Sequence, residues 1–142
     1  KLAERLAGSI GADLYEIAPK VPYTRADLNW QDRQSRSSVE MNDRSARPEI
    51  ASKVADMARY DVVFVGFPVW WYREPSIIDT LMELYDFAGK TVILFCTSGG
   101  SDIGKTAEKL MPYLKNGATV SGAQVFARSA SEEVLKAWVD TL

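Results

Sequence analysis

Three aromatic residues stand together in the stretch GFPVWWYREP (66–75), immediately after a run of strand-like residues. Trp70, Trp71 and Tyr72 offer flat, rigid and polarisable faces, and such faces suit a planar ring system as a ligand. The alternative is that both tryptophans pack under the long polar segment that precedes them in the chain. The residues of this stretch leave both interpretations open.

A glycine-rich stretch, TSGGSDIGKT (97–106), follows the next apolar run. Its glycines allow the backbone to approach a ligand closely, and its hydroxyl groups can donate or accept hydrogen bonds. The stretch also leads into a predicted helix, whose N-terminus favours an anion or an electron-rich carbonyl group. It matches neither the GxxxxGK[ST] nor the GxGxxG pattern, so a tight turn with a helix cap remains an alternative.

The composition excludes several kinds of catalysis. The 142 residues include no histidine and one cysteine, Cys96, which lies in the apolar run VILFC and is expected to be a buried thiol. Ser-His-Asp and Cys-His nucleophiles, disulfides and the commonest zinc and haem sites are therefore excluded. A hydrolase based on Ser98 is disfavoured because no histidine can activate the hydroxyl. The remaining options are carboxylates, Lys, Tyr, Ser or a bound cofactor.

Length, charge and hydropathy indicate one ordinary globular domain covering residues 1–142. The net charge of −2 gives no reason to expect binding to nucleic acid or to an anionic membrane surface. No apolar run approaches the roughly 18 residues that span a bilayer. We therefore expect a cytoplasmic protein without a membrane span.

Apolar strands alternate with amphipathic helices along the chain, which is typical of a parallel sheet covered on both faces. A segment from Val21 to Arg47, here called the insert, is polar and has little regular pattern; such long segments are more often functional or mobile than neutral. The predicted elements are a helix from Lys1 to a stop at Gly11, a strand Asp13–Ile17, a helix Pro48–Arg59, a strand Asp61–Phe67, a helix opened by Pro75, a strand Thr91–Thr97, a helix after the glycine-rich turn, a strand Ala118–Ala127 and a last helix with Ser129 and Glu132 in capping-box spacing.

The pattern begins with a helix, whereas α/β units of this kind begin with a strand. In the five-stranded order 2-1-3-4-5, strand 1 lies between the first two strands recognised here, and without it their backbone groups would face a gap. We therefore expect a doubly wound parallel sheet whose first strand, with its loop, precedes Lys1.

The runs DVVFVGFPVWW, YDFAGKTVILFCTSGGSDIG and SEEVLKAW resemble the flavodoxin-like family of FMN-binding proteins, in its short bacterial branch, and the similarity extends over essentially the whole chain. The resemblance implies a doubly wound sheet that holds one FMN noncovalently at its carboxyl edge. It also implies a phosphate-binding loop before the first helix, which cannot be assigned to any residue from Lys1 onwards. The residues that would flank the flavin ring are Pro68, Val69, Trp70 and Trp71, and those that would surround its pyrimidine edge are Thr97, Ser98, Gly99, Gly100, Ser101, Ile103 and Gly104.

Three functions are compatible with this resemblance. The first is electron transfer through the noncovalent flavin to a redox partner protein, although such carriers are usually more acidic than −2. The second is an FMN-dependent NAD(P)H oxidoreductase acting on a small acceptor such as a quinone. In that case the insert, with Trp30, Arg33, Arg36 and Arg44, would cover the flavin rather than form a solvated loop. The third is a flavin-free module that works through protein contacts.

Overall fold

A computed structural model describes residues 1–98 and 118–142, with the backbone alone for 121–123. The helix predicted after the glycine-rich turn lies outside the described residues. The described elements are α1 (Leu2–Ile10), α2 (Arg36–Met41), a 3-10 turn (Met57–Arg59), β1 (Val62–Pro68), α3 (Ser76–Leu84), β2 (Thr91–Thr97), β3 (Thr119–Phe126) and α4 (Glu132–Val139).

The three described strands form one open parallel sheet in the order β1-β2-β3. This order matches the 3-4-5 part of the predicted arrangement 2-1-3-4-5. Val62 of β1 is in register with Thr91 of β2, and Thr91 is in register with Thr119 of β3, with an irregularity of the second ladder between Leu94 and Phe95. The predicted α/β class with an open parallel sheet is confirmed.

The two faces of the sheet are covered by different helices, which explains why the strands are apolar throughout. On one face, Val65 and Leu94 pack with Ile78 of α3. On the other face, Phe95 packs with Leu6 of α1 and the fully buried Leu135 of α4. Alternate residues of each strand therefore enter separate cores, as the period-2 geometry of a strand requires.

Gly66 marks a close contact within the second of these cores. A Cβ atom built at Gly66 would lie 2.3 Å from the ring of Phe95 on the neighbouring strand. The absence of a side chain at Gly66 therefore makes room for the Phe95 ring.

Two predicted elements are wrong. Asp13–Ile17 is not a strand, and Pro48–Arg59 forms only the 3-10 turn at its end. Pro19, two residues after the first of these segments, instead forms an antiparallel bridge with Ile50 of the second segment. This pairing draws the start of the predicted helix into an extended conformation. The apolar periodicity was real, because Ile17 and Ile50 both pack on the core without regular structure.

The last helix begins later than predicted. Its N-cap is Ser131, whose hydroxyl accepts a hydrogen bond from the backbone N–H of Val134. Ser129, the predicted cap, lies in a turn closed by a bond from the Ala130 N–H to the Ala127 carbonyl. The capping-box spacing of Ser129 and Glu132 was therefore coincidental, whereas the helix itself is confirmed.

Candidate functional site

The aromatic stretch after β1 forms a two-residue hairpin, here called the aromatic turn (Trp70–Arg73). Trp70 N–H donates to the Arg73 carbonyl at 2.9 Å, and Arg73 N–H donates to the Trp70 carbonyl at 3.1 Å. Trp71 and Tyr72 both have positive φ, 47° and 63°, as in a type I′ turn that Asn-Gly normally occupies. The left-handed conformation costs about 1–2 kcal/mol for each such residue, and it leaves both rings exposed.

Trp70 is held by the insert. Its ring meets the ring of Tyr23 edge to face, with centroids 5.7 Å apart and planes at 82°. The Arg36 guanidinium stacks 3.8 Å above the centre of the Tyr23 ring, and the Tyr23 hydroxyl donates to Glu40. Burial and the Glu40 hydrogen bond raise the pKa of Tyr23 well above its ordinary value. Each of the two interpretations of the tryptophan pair therefore holds for one residue. Trp70 packs under the insert, whereas Trp71 stays partly exposed.

Arg73 secures the base of the aromatic turn. It is 8% exposed, and its Nη1 atom lies 3.3 Å from Oε1 of Glu74 and 3.4 Å from Oδ2 of Asp79. Its Nη2 atom donates to the carbonyl of Met41, at the end of α2, at 3.2 Å. Its guanidinium is buried because it ties the turn to both α3 and the insert.

Asp79 and Glu74 form a buried acidic pair. Both side chains are fully buried, and the carboxyl groups lie within hydrogen-bonding reach of each other. Burial, the hydrogen bond to Glu74 and its negative charge raise the pKa of Asp79 to about 7, against the opposing charges of Arg44 and Arg73. Among the described residues, no donor reaches Glu74 Oε2 or Asp79 Oδ1. A proton on Asp79 lets it donate to Glu74 and reduces this deficit.

Two further arginines bind the insert to this pair. Arg44 Nη1 donates to Glu74 Oε1 at 3.0 Å. Arg47 lies 3.9 Å from Asp79 Oδ2 and pairs with Glu83 at 2.8 Å. The last part of the insert is thus docked on α3 through ion pairs, although the polar sequence of the insert suggested a solvated loop.

A cavity of about 830 Å³ opens between the insert and the aromatic turn. We call it the insert cavity. Its walls carry two indole rings, two side-chain amides, a hydroxyl and one guanidinium. The lining residues are Trp30, Gln31, Arg33, Ser38, Asn42 and Trp71.

A second cavity, of about 520 Å³, lies at the carboxyl ends of β1 and β2. We call it the sheet-edge cavity. Pro68 and Thr97, two of the predicted ligand residues, line it together with Lys1 and Arg128. Cys96 also lines this cavity, but the residue is 1% exposed and its thiol donates to the Gln124 carbonyl at 3.6 Å.

The first residue after β1 contacts the end of β2, whereas the predicted meeting of the two candidate loops stays a prediction. Val69 N–H donates to the carbonyl of Thr97 at 2.8 Å, so the first residues after β1 and the end of β2 are hydrogen-bonded. Ser98 is half-buried and ends the described part of this loop. The remaining predicted ligand residues, Gly99, Gly100, Ser101, Ile103 and Gly104, lie outside the described residues.

Sequence reasoning missed the parts of this region that depend on side-chain packing. The positive φ values of Trp71 and Tyr72 carry no glycine or asparagine signal, and Tyr23 stood in a segment without pattern. The acidic residues Glu74 and Asp79 also looked like ordinary residues at a helix start. Proximity of Glu74 to Arg73 was the one hint available, since buried charges usually require partners.

An open parallel sheet with helices on both faces, and a cavity at the carboxyl ends of two of its strands, is the architecture of the doubly wound α/β class. A flavodoxin family model matches residues 1–142, and the chain therefore belongs to the flavodoxin family. None of the proteins of curated function matches the chain.

Solved structures agree with this assignment. A protein from Bacteroides eggerthii, provisionally described as a flavoprotein, is 46% identical with a TM-score of 0.87, over 97% of this chain and 86% of that one. Another from Bacteroides uniformis, described in the same way, is 41% identical with a TM-score of 0.87, over 96% and 86%. A flavoprotein from Lactobacillus acidophilus, solved in complex with FMN, is 20% identical with a TM-score of 0.64, over 96% and 90%, and shares the fold.

Among the helices in residues 1–98 and 118–142, none is both long and apolar enough to cross a bilayer. Over the same residues, His, Cys, Asp and Glu side chains do not cluster in threes as a metal site would require.

Proposed function

We propose that this chain binds one FMN noncovalently at the carboxyl edge of its sheet and transfers electrons through it. The observation that carries the proposal is the aromatic turn, which holds the indole of Trp71 outward beyond the end of β1 at the expense of two strained residues. Strain of this kind is retained where the surrounding structure imposes it, and it concentrates at ligand sites. Membership of the flavodoxin family and the shared fold of the FMN-containing Lactobacillus acidophilus protein support the choice of ligand.

The described residues fit the different parts of FMN. Trp71 offers a free aromatic face to a flat ring, and Pro68 and Thr97 line the neighbouring sheet-edge cavity. Lys1 and Arg128 bring positive charge to the wall of that cavity, which suits an anionic group. In this proposal the ring is flanked by Pro68, Val69, Trp70 and Trp71 and the pyrimidine edge is contacted by Thr97, Ser98, Gly99, Gly100, Ser101, Ile103 and Gly104.

When bound, FMN supplies one- and two-electron chemistry that side chains alone cannot perform. In this proposal the residues of the protein bind the flavin and orient it. The ring of Trp70 packs against the ring of Tyr23, and Arg73 holds the aromatic turn in place through its ion pair with Asp79. The Cys96 thiol takes no part, because it is buried against a strand carbonyl.

A second function, an FMN-dependent NAD(P)H oxidoreductase acting on a small acceptor, is favoured by the docked insert. The insert cavity has an aromatic and polar lining next to Trp71, as a site for a small acceptor requires. A protein that only exchanges electrons with a partner protein has no need of such a cavity. A cytoplasmic location remains a prediction for either function.

The proposal is tested by the visible absorbance spectrum of the purified full chain, before and after incubation with FMN and removal of free flavin. We expect a flavin absorbance band that stays with the protein. NAD(P)H consumption with a quinone acceptor then separates the two functions, since a carrier alone shows little turnover. Failure to retain FMN at any concentration tested would contradict the proposal and favour a flavin-free module.

A further inference from the structure

The insert cavity brings together two tryptophans that are distant in the sequence. Trp30 is 69% exposed and Trp71 is 39% exposed, and both line this cavity. Single exposed aromatic residues are common, but two indoles on opposite segments around one cavity form a surface suited to a flat ligand.

The loop that carries Trp30 is held by its own hydrogen bonds. The Asp32 N–H donates to the Asn29 carbonyl at 3.1 Å, and the Gln31 N–H donates to the Asn29 side chain at 3.2 Å. The Ser35 N–H then donates to Asp32 and leads into α2. Trp30 is therefore presented on a turn of defined conformation, which lowers the ordering cost of binding.

Arg33 adds a positive charge to the same cavity. In the described part of the chain, its guanidinium makes no hydrogen bond or ion pair, whereas Arg36 and Arg44 of the same insert are paired with Glu40 and Glu74. A cation that is left unpaired beside two aromatic walls suits a ligand with an anionic group. The amide of Gln31 adds a group that can donate to a ring carbonyl, whereas Asn42 Nδ2 already donates to the Ser38 carbonyl at 2.9 Å.

We propose that the insert cavity binds a planar aromatic electron acceptor that carries an anionic group, such as a sulfonated or carboxylated quinone. The inference rests on the proposed function, because it names the substrate class of that redox site. Pro68 and Thr97 line the sheet-edge cavity, whereas Trp71, which flanks the flavin ring in the proposed function, also lines the insert cavity. The acceptor would therefore lie beside the flavin, with Trp71 shared by the two sites.

The reduction of such an acceptor is balanced. A quinone takes up two electrons and two protons, its two carbonyl groups become hydroxyl groups, and no σ bond of the ring breaks. Bound FMN in its reduced form would supply the two electrons, and NAD(P)H or a redox partner protein would in turn reduce the flavin. The products would be the hydroquinone and oxidised FMN.

The test uses the full chain loaded with oxidised FMN, in which no electron transfer competes with binding. Isothermal titration with anthraquinone monosulfonate measures the acceptor site, and its uncharged hydroxymethyl analogue measures the contribution of charge. We expect Trp30→Ala to weaken binding of both probes about tenfold through loss of stacking. We expect Arg33→Gln to weaken the sulfonate about fivefold and to leave the analogue unchanged. Arg25→Gln, at an exposed arginine of the same insert, is the matched control.

The outcomes separate the two proposals. Unchanged affinity in both Trp30→Ala and Arg33→Gln would overturn the acceptor site, as would displacement of FMN by the probe. A chain that retains no FMN contradicts the proposed function, whereas titration of that flavin-free chain still measures the cavity. Probe binding that depends on Trp30 and Arg33 supports the acceptor site, whether or not the chain contains FMN.

Discussion

The carboxyl groups of Glu74 and Asp79 lie within hydrogen-bonding reach of each other inside the protein, and neither side chain contacts solvent. Arg73 bridges the pair at 3.3 and 3.4 Å and belongs to the aromatic turn. The conformation of the candidate site is therefore connected to a buried charge network that also holds the insert.

The raised pKa of Asp79, about 7, gives the protein a predictable pH dependence. Between about pH 4 and pH 7 the folded state keeps a proton that the unfolded chain releases, so this residue makes folding less favourable as pH rises. Below that pH window the Asp79 carboxyl is neutral in both the folded and the unfolded chain, so it no longer lowers the free energy of unfolding. We expect Asp79→Asn to remove most of this slope in urea denaturation curves measured across the window. Asp86→Asn, at an exposed carboxylate, is the control, and an identical slope in Asp79→Asn would contradict the assignment.

Trp71→Ala is expected to weaken FMN binding by about 1 kcal/mol, roughly fivefold, because it removes an aromatic face from the ring site. Quenching of flavin fluorescence in a titration measures the affinity. Tyr72→Ala is the control, since Tyr72 has the same backbone conformation but does not line either cavity. Redox titrations of the same variants should also shift for Trp71→Ala, and unchanged potentials together with unchanged affinity would remove Trp71 from the site.

Tyr72→Gly should stabilise the protein by about 0.5–1 kcal/mol. Glycine adopts positive φ without the steric cost that tyrosine has, and this gain exceeds the extra entropy of the unfolded chain. The loss of packing is small because the tyrosine ring is 66% exposed. The midpoint of urea unfolding measures the effect, and Tyr72→Ala, which keeps the strain, should give no gain. A lower midpoint for the glycine variant would mean that the ring contributes more than its exposure suggests.

Tyr23→Ala should loosen the insert while leaving the sheet folded. The change removes the ring between Trp70 and Arg36 and the hydrogen bond to Glu40. We expect faster tryptic cleavage at the exposed Arg33, with little change at the exposed Arg128 as the reference site. Tyr23→Phe keeps the aromatic contacts and should show an intermediate rate. Equal cleavage of all three proteins would show that the insert is held by other contacts.

Gly66→Ala is expected to destabilise the fold by about 1–3 kcal/mol, because the new methyl group would overlap the Phe95 ring. Gly8→Ala is the matched control, since a Cβ there meets no atom within 4 Å and alanine favours the helix by about 1 kcal/mol. The double variant Gly66→Ala with Phe95→Leu should recover part of the loss in thermal unfolding. If Gly66→Ala alone were neutral, the ring would have another position to occupy.

Local patterns predicted the elements that form the frame of the site. Continuous apolar runs placed β1 and β2, and Pro75 correctly preceded α3. The order of the three described strands also followed from the five-stranded arrangement 2-1-3-4-5 expected for this class of sheet. The same periodicity misplaced Asp13–Ile17 and Pro48–Arg59, because Ile17 and Ile50 pack on the core from segments without regular structure.

By itself, the sequence determined that this is a parallel α/β protein with aromatic and glycine-rich loops beyond neighbouring strands, since both conclusions depend on local periodicity and composition. Only the tertiary structure decided which of Trp70 and Trp71 keeps an exposed ring. Tyr23 and Arg36 come from a segment without any pattern, and together they hold Trp70. Arg73, paired with buried carboxylates, fixes the strained aromatic turn in which the ring of Trp71 points outward. These contacts join residues far apart in the chain, and their energies depend on burial that no local pattern records.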